Sequence, residues 1–133
     1  MLIPFAADYA IRAMIQMAEH PNELRLARVI AKTEGIPQHY LGNVLQTLAH
    51  RGLLRSFPGP TGGFMLARPA SQIYVAEVVA EFCVELLFPL FFPADLKRRV
   101  NDWFSLTSIA DLASPVPVKR KARAAEVQQG AEK

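Results

Sequence analysis

Cysteine is nearly absent from this chain of 133 residues: Cys83 stands alone. An intramolecular disulfide framework is therefore excluded, and a reducing compartment, the cytoplasm, fits best. Histidine is scarce, and His20 and His50 lack cysteine or carboxylate neighbours at ligand spacing, so they read as structural or surface residues and no metal site is expected. There is no Ser/His/Asp or Cys/His set, no phosphate loop and no carboxylate pair in an apolar setting, which argues against an enzyme. Long hydrophobic runs are missing too. The most apolar stretch, Phe82 to Pro93, is far too short to span a bilayer and contains Glu85, Pro89 and Pro93. The N-terminus is interrupted by Asp8 and Arg12 without a basic leader, so it reads as a helix rather than a signal peptide.

What is present is ample apolar material, 51% of residues, enough for one compact domain plus an additional element. The net charge of +3 is unevenly spread. Residues 1 to 68 hold seven Lys/Arg against four Asp/Glu, residues 69 to 113 three against six, and residues 114 to 133 five against two. A nucleic-acid-facing N-terminal module followed by a segment with another task fits this pattern.

The centre of the chain is Gly35 to Arg55. Ile36, Tyr40, Leu41, Val44, Leu45 and Leu48 recur every three or four residues and predict the buried stripe of a helix whose first turn contains Pro37 and whose stop is Gly52. Its other side carries Gln38, His39, Asn43, Gln46, Thr47 and His50, groups able to read base edges. Before it, Pro4 to His20 predicts an amphipathic helix with Phe5, Tyr9, Ala10, Ala13, Met14 and Met17 inward and Asp8, Arg12, Gln16 and Glu19 outward. Asp8 and Arg12, one turn apart, read as a surface ion pair. A short helix over Leu26 to Thr33, with Leu26, Val29 and Ile30 inward, completes a helix-turn-helix plan.

After Gly52, Leu53 to Phe57 and Phe64 to Ala67 predict a β-hairpin whose connection, Pro58 to Gly63, is rich in glycine. A hairpin directly after a helix-turn-helix is a wing, able to meet phosphates through backbone N–H groups, with Arg55 and Arg68 at its base. A helix from about Val75 into the Cys83 region follows. Leu96, Val100, Trp103 and Phe104 then stripe a helix beginning at Ala94, and a stripe outside the winged core calls for self-association. Ser108 with Asp111 predicts a capping box for a last short helix through Leu112. Beyond Ser114 the composition predicts a disordered basic tail.

These residues resemble the Rrf-two family of winged-helix transcriptional regulators, the IscR/NsrR type. The matching pieces are Asp8 to Met14, the turn Gly35-Ile36-Pro37, Tyr40-Leu41 with Val44-Leu45 and Leu48, and Arg51 to Leu54. They continue through the wing Gly59 to Phe64, Leu66 to Pro69, Glu77-Val78-Val79 and Leu106 to Leu112. The resemblance implies a homodimeric DNA-binding repressor or activator with a dimer helix after the wing. In sensing branches of the family three cysteines hold an iron-sulfur cluster; here only Cys83 lies in that region, and Asp8, an additional ligand in one branch, cannot complete a set of about four. Pro58 stands where relatives often carry an arginine that enters the minor groove, and Gly42 where they often carry Glu.

The resulting expectation is a mainly α fold with a small β-hairpin. Residues 1–70 form a winged helix-turn-helix DNA-binding domain, 71–113 a linker helix and dimerisation helix, and 114–133 the tail. Double-stranded DNA is read by Arg28, Pro37, Gln38, His39, Tyr40, Asn43, Gln46, Thr47, Arg55, Gly59, Thr61, Gly62 and Gly63, within a basic surround that also includes Arg25, Lys32, Arg51 and Arg68. Leu96, Val100, Trp103 and Phe104 form the dimer stripe. Cys83 is a candidate redox or effector residue, although a small buried hydrophobe is the simpler reading. Residues 86–92 are candidates for dimer core or an apolar effector pocket. No cofactor is expected, and no membrane partner. The alternative is a winged-helix adaptor that uses the same surface for a protein.

Overall fold

The computed structural model describes residues 3–83, 88 and 90–113. The expectations for the tail, and for residues 86, 87 and 89 of the apolar run, lie outside the described residues. Helix α1 (Phe5–Glu19), α2 (Ala27–Glu34) and α3 (Gln38–His50) are followed by strands β1 (Leu54–Phe57) and β2 (Gly63–Leu66). A 3₁₀ turn (Ala70–Gln72), α4 (Val75–Ala80), α5 (Ala94–Leu106) and α6 (Ile109–Ala113) complete the order.

Two glycines set the angles between the first elements. Gly35 ends α2 at φ +69°, and Ile36 N–H reaches back to the Ala31 carbonyl at 2.9 Å. Gly52 repeats the device after α3 at φ +79°, with Gly52 and Leu53 N–H groups donating to the Ala49 and Leu48 carbonyls. That pair of bonds is the Schellman arrangement, which needs a left-handed residue at its centre. Pro37 lies one position outside the first turn predicted for it. Its ψ of 124° is extended while its carbonyl accepts the Leu41 N–H, so it is the N-cap.

The main core gathers Ala10, Ala13, Met14 and Met17 of α1, Ile30 of α2, Leu41, Val44, Leu45 and Leu48 of α3, and Phe64 of the wing. Ile73, Val78 and Ile109 belong to the same core, which therefore crosses residue 70. Four expectations are corrected at the edges of the stripes. Phe5 is 60% exposed and Tyr40 44%, and Val29 is also exposed, because no element covers those flanks. Gln16, predicted outward, is 7% exposed because Glu34 and Arg25 close over it.

Strands β1 and β2 pair antiparallel, Leu54 with Leu66 through Phe57 with Gly63. Arg25 adds a third backbone to this hairpin, exchanging two 2.9 Å hydrogen bonds with Phe64. The helix predicted from Val75 to the Cys83 region ends at Ala80, since Glu81 and Phe82 N–H groups turn to the Val78 and Val79 carbonyls in 3₁₀ fashion. Ser108 and Asp111 form the predicted capping box, at 2.9 and 3.0 Å.

Candidate nucleic-acid interface

Helix α3 has two sides set by its period. At about 100° per residue, Leu41, Val44, Leu45 and Leu48 centre on one direction, and His39, Asn43, Gln46 and His50 fall within roughly 60° of the opposite one. The first four are buried and the second four exposed. Gln38 and Tyr40, also exposed, flank the N-terminal end of this stripe, and the Tyr9 ring meets Tyr40 edge-on at 5.5 Å. Thr47 is half-buried and donates its hydroxyl proton to the Asn43 carbonyl at 3.0 Å, so only its oxygen lone pairs remain for a ligand. Pro37 is exposed at the start of the helix.

Beyond α3, the connection between β1 and β2 closes with a hydrogen bond from Gly62 N–H to the Gly59 carbonyl at 3.0 Å. Gly59 and Thr61 are exposed at its tip, whereas Gly62 and Gly63 are buried at its root. A Cβ on Gly63 would lie 2.9 Å from the Arg25 carbonyl oxygen, which is why that position is glycine.

The structure divides the six cations expected around this surface into two groups. Arg25 donates to Gln16 at 2.8 Å and lies 3.6 Å from Glu23, Arg51 lies 3.0 Å from Glu81, and Arg68 is bonded to Glu77. Arg28, Lys32 and Arg55 make no ion pair with any described residue, and all three are exposed. Arg55 rests its guanidinium 5.4 Å from the Phe57 ring, which limits its rotamers without neutralising it.

Sequence reasoning missed one cluster behind this surface. Arg12 makes the ion pair with Asp8 that their spacing predicts, at 3.4 Å. It also bonds the Glu34 carboxylate at 3.2 Å and the Glu34 carbonyl, while Gln16 donates to the same carboxylate at 3.2 Å. The cluster holds the α2–α3 turn against α1. Glu34 lies 22 residues from Arg12 and 18 from Gln16, separations no periodicity reveals.

Glu77 is the described carboxylate with a resolved shift. Burial raises it, but the Tyr74 N–H and the Arg68 guanidinium outweigh burial and hold it below the ordinary value of 4.5. A depressed carboxyl contributes stability above its unfolded pKa and loses it as pH falls through the folded value. Glu77→Gln is therefore expected to be less stable than the native chain at neutral pH, with the gap closing below pH 4.5. Urea midpoints from neutral pH to about pH 3 check this, and a gap constant with pH contradicts it.

The stripe predicted on α5 is the second feature. None of the residues of α5 is buried: Trp103 is 46% exposed, Leu106 76%, and Leu96 and Val100 are half-buried. Phe104 packs toward its own chain, against a small cluster of Ala7, Val75 and Val79. Leu106, three residues after Trp103, extends the stripe that the sequence reading ended at Phe104.

The donor set does not fit an iron-sulfur cluster held within one chain. Such a cluster needs about four ligands. The chain has a single thiol, Cys83, half-buried beside the Ala7, Val75 and Val79 cluster, and Asp8 is engaged by Arg12. Among the described residues no three His, Cys, Asp or Glu side chains come together as a metal site. Nor is any described helix long and apolar enough to cross a membrane.

Comparison with known proteins agrees with this geometry. IscR of Xenorhabdus nematophila, an HTH-type transcriptional regulator, is 40% identical over 74 residues, covering 54% of this chain and 44% of that protein. The match therefore spans less than half of that relative's length. Among solved structures, CymR, the global cysteine regulator of B. subtilis, is similar with a TM-score of 0.72 at 23% identity, over 86% of this chain and 97% of that one. T. potens IscR gives 0.70 at 24% identity, over 84% and 85%. Residues 5–89, from the start of α1 past the end of α4, match the family described as Rrf2, iron-dependent transcriptional regulator. With its helix-turn-helix, wing and exposed polar stripe in place, the chain belongs to the Rrf2 family of transcriptional regulators.

Proposed function

We propose that this protein is a cytoplasmic repressor that binds operator DNA as a homodimer, without an iron-sulfur cluster and with no reaction of its own. Helix α3 enters the major groove with His39, Asn43, Gln46 and His50 toward base edges, and Asn43 is suited to bidentate contact with adenine. Gln38, Tyr40 and the Thr47 oxygen border that contact, and Arg28, Lys32 and Arg55 meet phosphates. The wing tip, Gly59 and Thr61, lies along the backbone. Helix α5 joins two subunits, so the site is pseudo-palindromic, with half-sites about one or more helical turns apart. Residues 1–70 serve the DNA and 71–113 the dimer, a division of task rather than of core.

One observation carries the reading: the exposed stripe of α3 is polar and free of Lys, Arg, Asp and Glu, and exposed cations without a described ion-pair partner stand on the neighbouring α2 and β1. Amides and imidazoles discriminate bases, whereas lysines and arginines on phosphates supply attraction that is indifferent to sequence. The test is fluorescence anisotropy on duplexes selected from a random pool, at several salt concentrations. Three cations per subunit predict a slope of log K against log salt of about −5 for the dimer. Asn43→Ala is expected to lower the preference for the selected site by roughly 10- to 100-fold per half-site, with little change on random DNA. Binding equal on selected and random duplexes would refute the proposal.

A further inference from the structure

The two sides of α4 are committed to different parts of the molecule. Val75 and Val79, one turn apart, close the small apolar cluster with Ala7 of α1 and with Phe104 of α5. Glu77 and Glu81, the latter the C-cap residue of α4 and still right-handed in backbone conformation, are also one turn apart, and because two residues advance a helix by about 200° they lie on roughly the opposite side. Glu77 holds Arg68, two residues beyond β2. Glu81 holds Arg51, the C-cap residue of α3, at 3.0 Å. Helix α4 thus grips the end of the recognition helix and the root of the wing with its carboxylates, and α5 with its valines.

Ion pairs this exposed are modest contributors to stability, Glu77 adding its bond from the Tyr74 N–H. What they do here is connect. A tilt of α4 that follows Phe104 carries both carboxylates with it, and so moves the end of α3 and the base of the wing together. Packed elements of this kind shift between discrete arrangements rather than bend.

We infer that α4 couples the α5 dimer interface to the DNA-reading unit, with Glu77 and Glu81 as the positioning residues that transmit the coupling. The inference rests on the dimeric DNA-binding reading above. Coupling between two sites is reciprocal, so DNA on one subunit must change the affinity of that subunit for its partner.

The measurement uses the full chain and a duplex carrying a single selected half-site, too short to bridge two subunits. Sedimentation equilibrium gives the dimer dissociation constant with and without this duplex. The native chain is expected to show a shift of at least about fivefold, the lower end of ordinary coupling. In Glu77→Gln/Glu81→Gln the half-site still binds, circular dichroism is unchanged, and the shift falls within twofold. Exchanging the charges, Arg51→Glu with Glu81→Arg, restores the shift, which a merely structural role would not. A native shift below twofold, or an equal shift in the double variant, overturns the inference. A half-site duplex that binds no better than random DNA overturns the DNA reading instead, so the two failures are distinguishable.

Discussion

Gly62→Ala is expected to open the wing. A Cβ at this position would lie 1.8 Å from the Phe57 carbonyl oxygen and 2.7 Å from the Pro58 oxygen, both backbone atoms. Neither can yield as the end of a flexible side chain would. Phe57 is fixed by its pairing with Gly63, and Gly62 by its bond to the Gly59 carbonyl. Overpacking of this kind costs about 1–3 kcal/mol, and with backbone on both sides the upper end applies. The loss falls on the hairpin first, and through Phe64 on the Arg25 bridge. DNA affinity is expected to drop by about tenfold or more, since every wing contact to the backbone is displaced. Calorimetry shows a melting temperature lower by several degrees. A variant with native melting and native anisotropy curves would show that the wing turn tolerates a side chain, against the geometry.

Trp103→Ala is expected to weaken the dimer by roughly 30-fold or more. Truncating a tryptophan at the centre of an interface costs about 2 kcal/mol or more, and each 1.4 kcal/mol is a factor of ten. The monomer itself loses less, because the indole is already half out of its own chain, with the Phe104 ring 5.5 Å away. Binding to a full operator then falls at protein concentrations below the new dissociation constant, while binding to a single half-site is unchanged. Trp103 is the only tryptophan in the chain, so its emission in the native protein also reports directly on dimer formation. An unchanged dissociation constant in the variant would move the interface away from α5.

The sequence was most legible where one residue type answers one geometric demand. Gly52 takes positive φ at the end of α3, which only glycine accepts without strain, so that stop was readable, and Gly35 was readable as a turn residue. Ser108 and Asp111 satisfy two orphan N–H groups within four residues, so the last helix start was readable as well. The α3 stripe was readable because the period of a helix and the period of its buried side chains coincide. Tyr40 and Phe5 fit the same period and are nevertheless exposed. Periodicity gives the direction in which a side chain points, not whether another element arrives to cover it.

Charge was the least legible property. Composition counted seven cations in residues 1 to 68, and nothing in the sequence distinguished those open to DNA from those already committed. Arg51 finds Glu81 across 30 positions, and Arg68 finds Glu77 across nine. The third backbone of the hairpin is hidden for a related reason, since a pairing through Arg25 and Phe64 alone leaves no alternating pattern to read. The elements, their caps and the polar face of α3 were determined locally, by dihedral preference and by the spacing of apolar residues. Which cations stay free, which flanks stay bare and which carboxylates tie α4 to α3 and the wing were decided only by tertiary structure, because each depends on groups that approach through space and not along the chain.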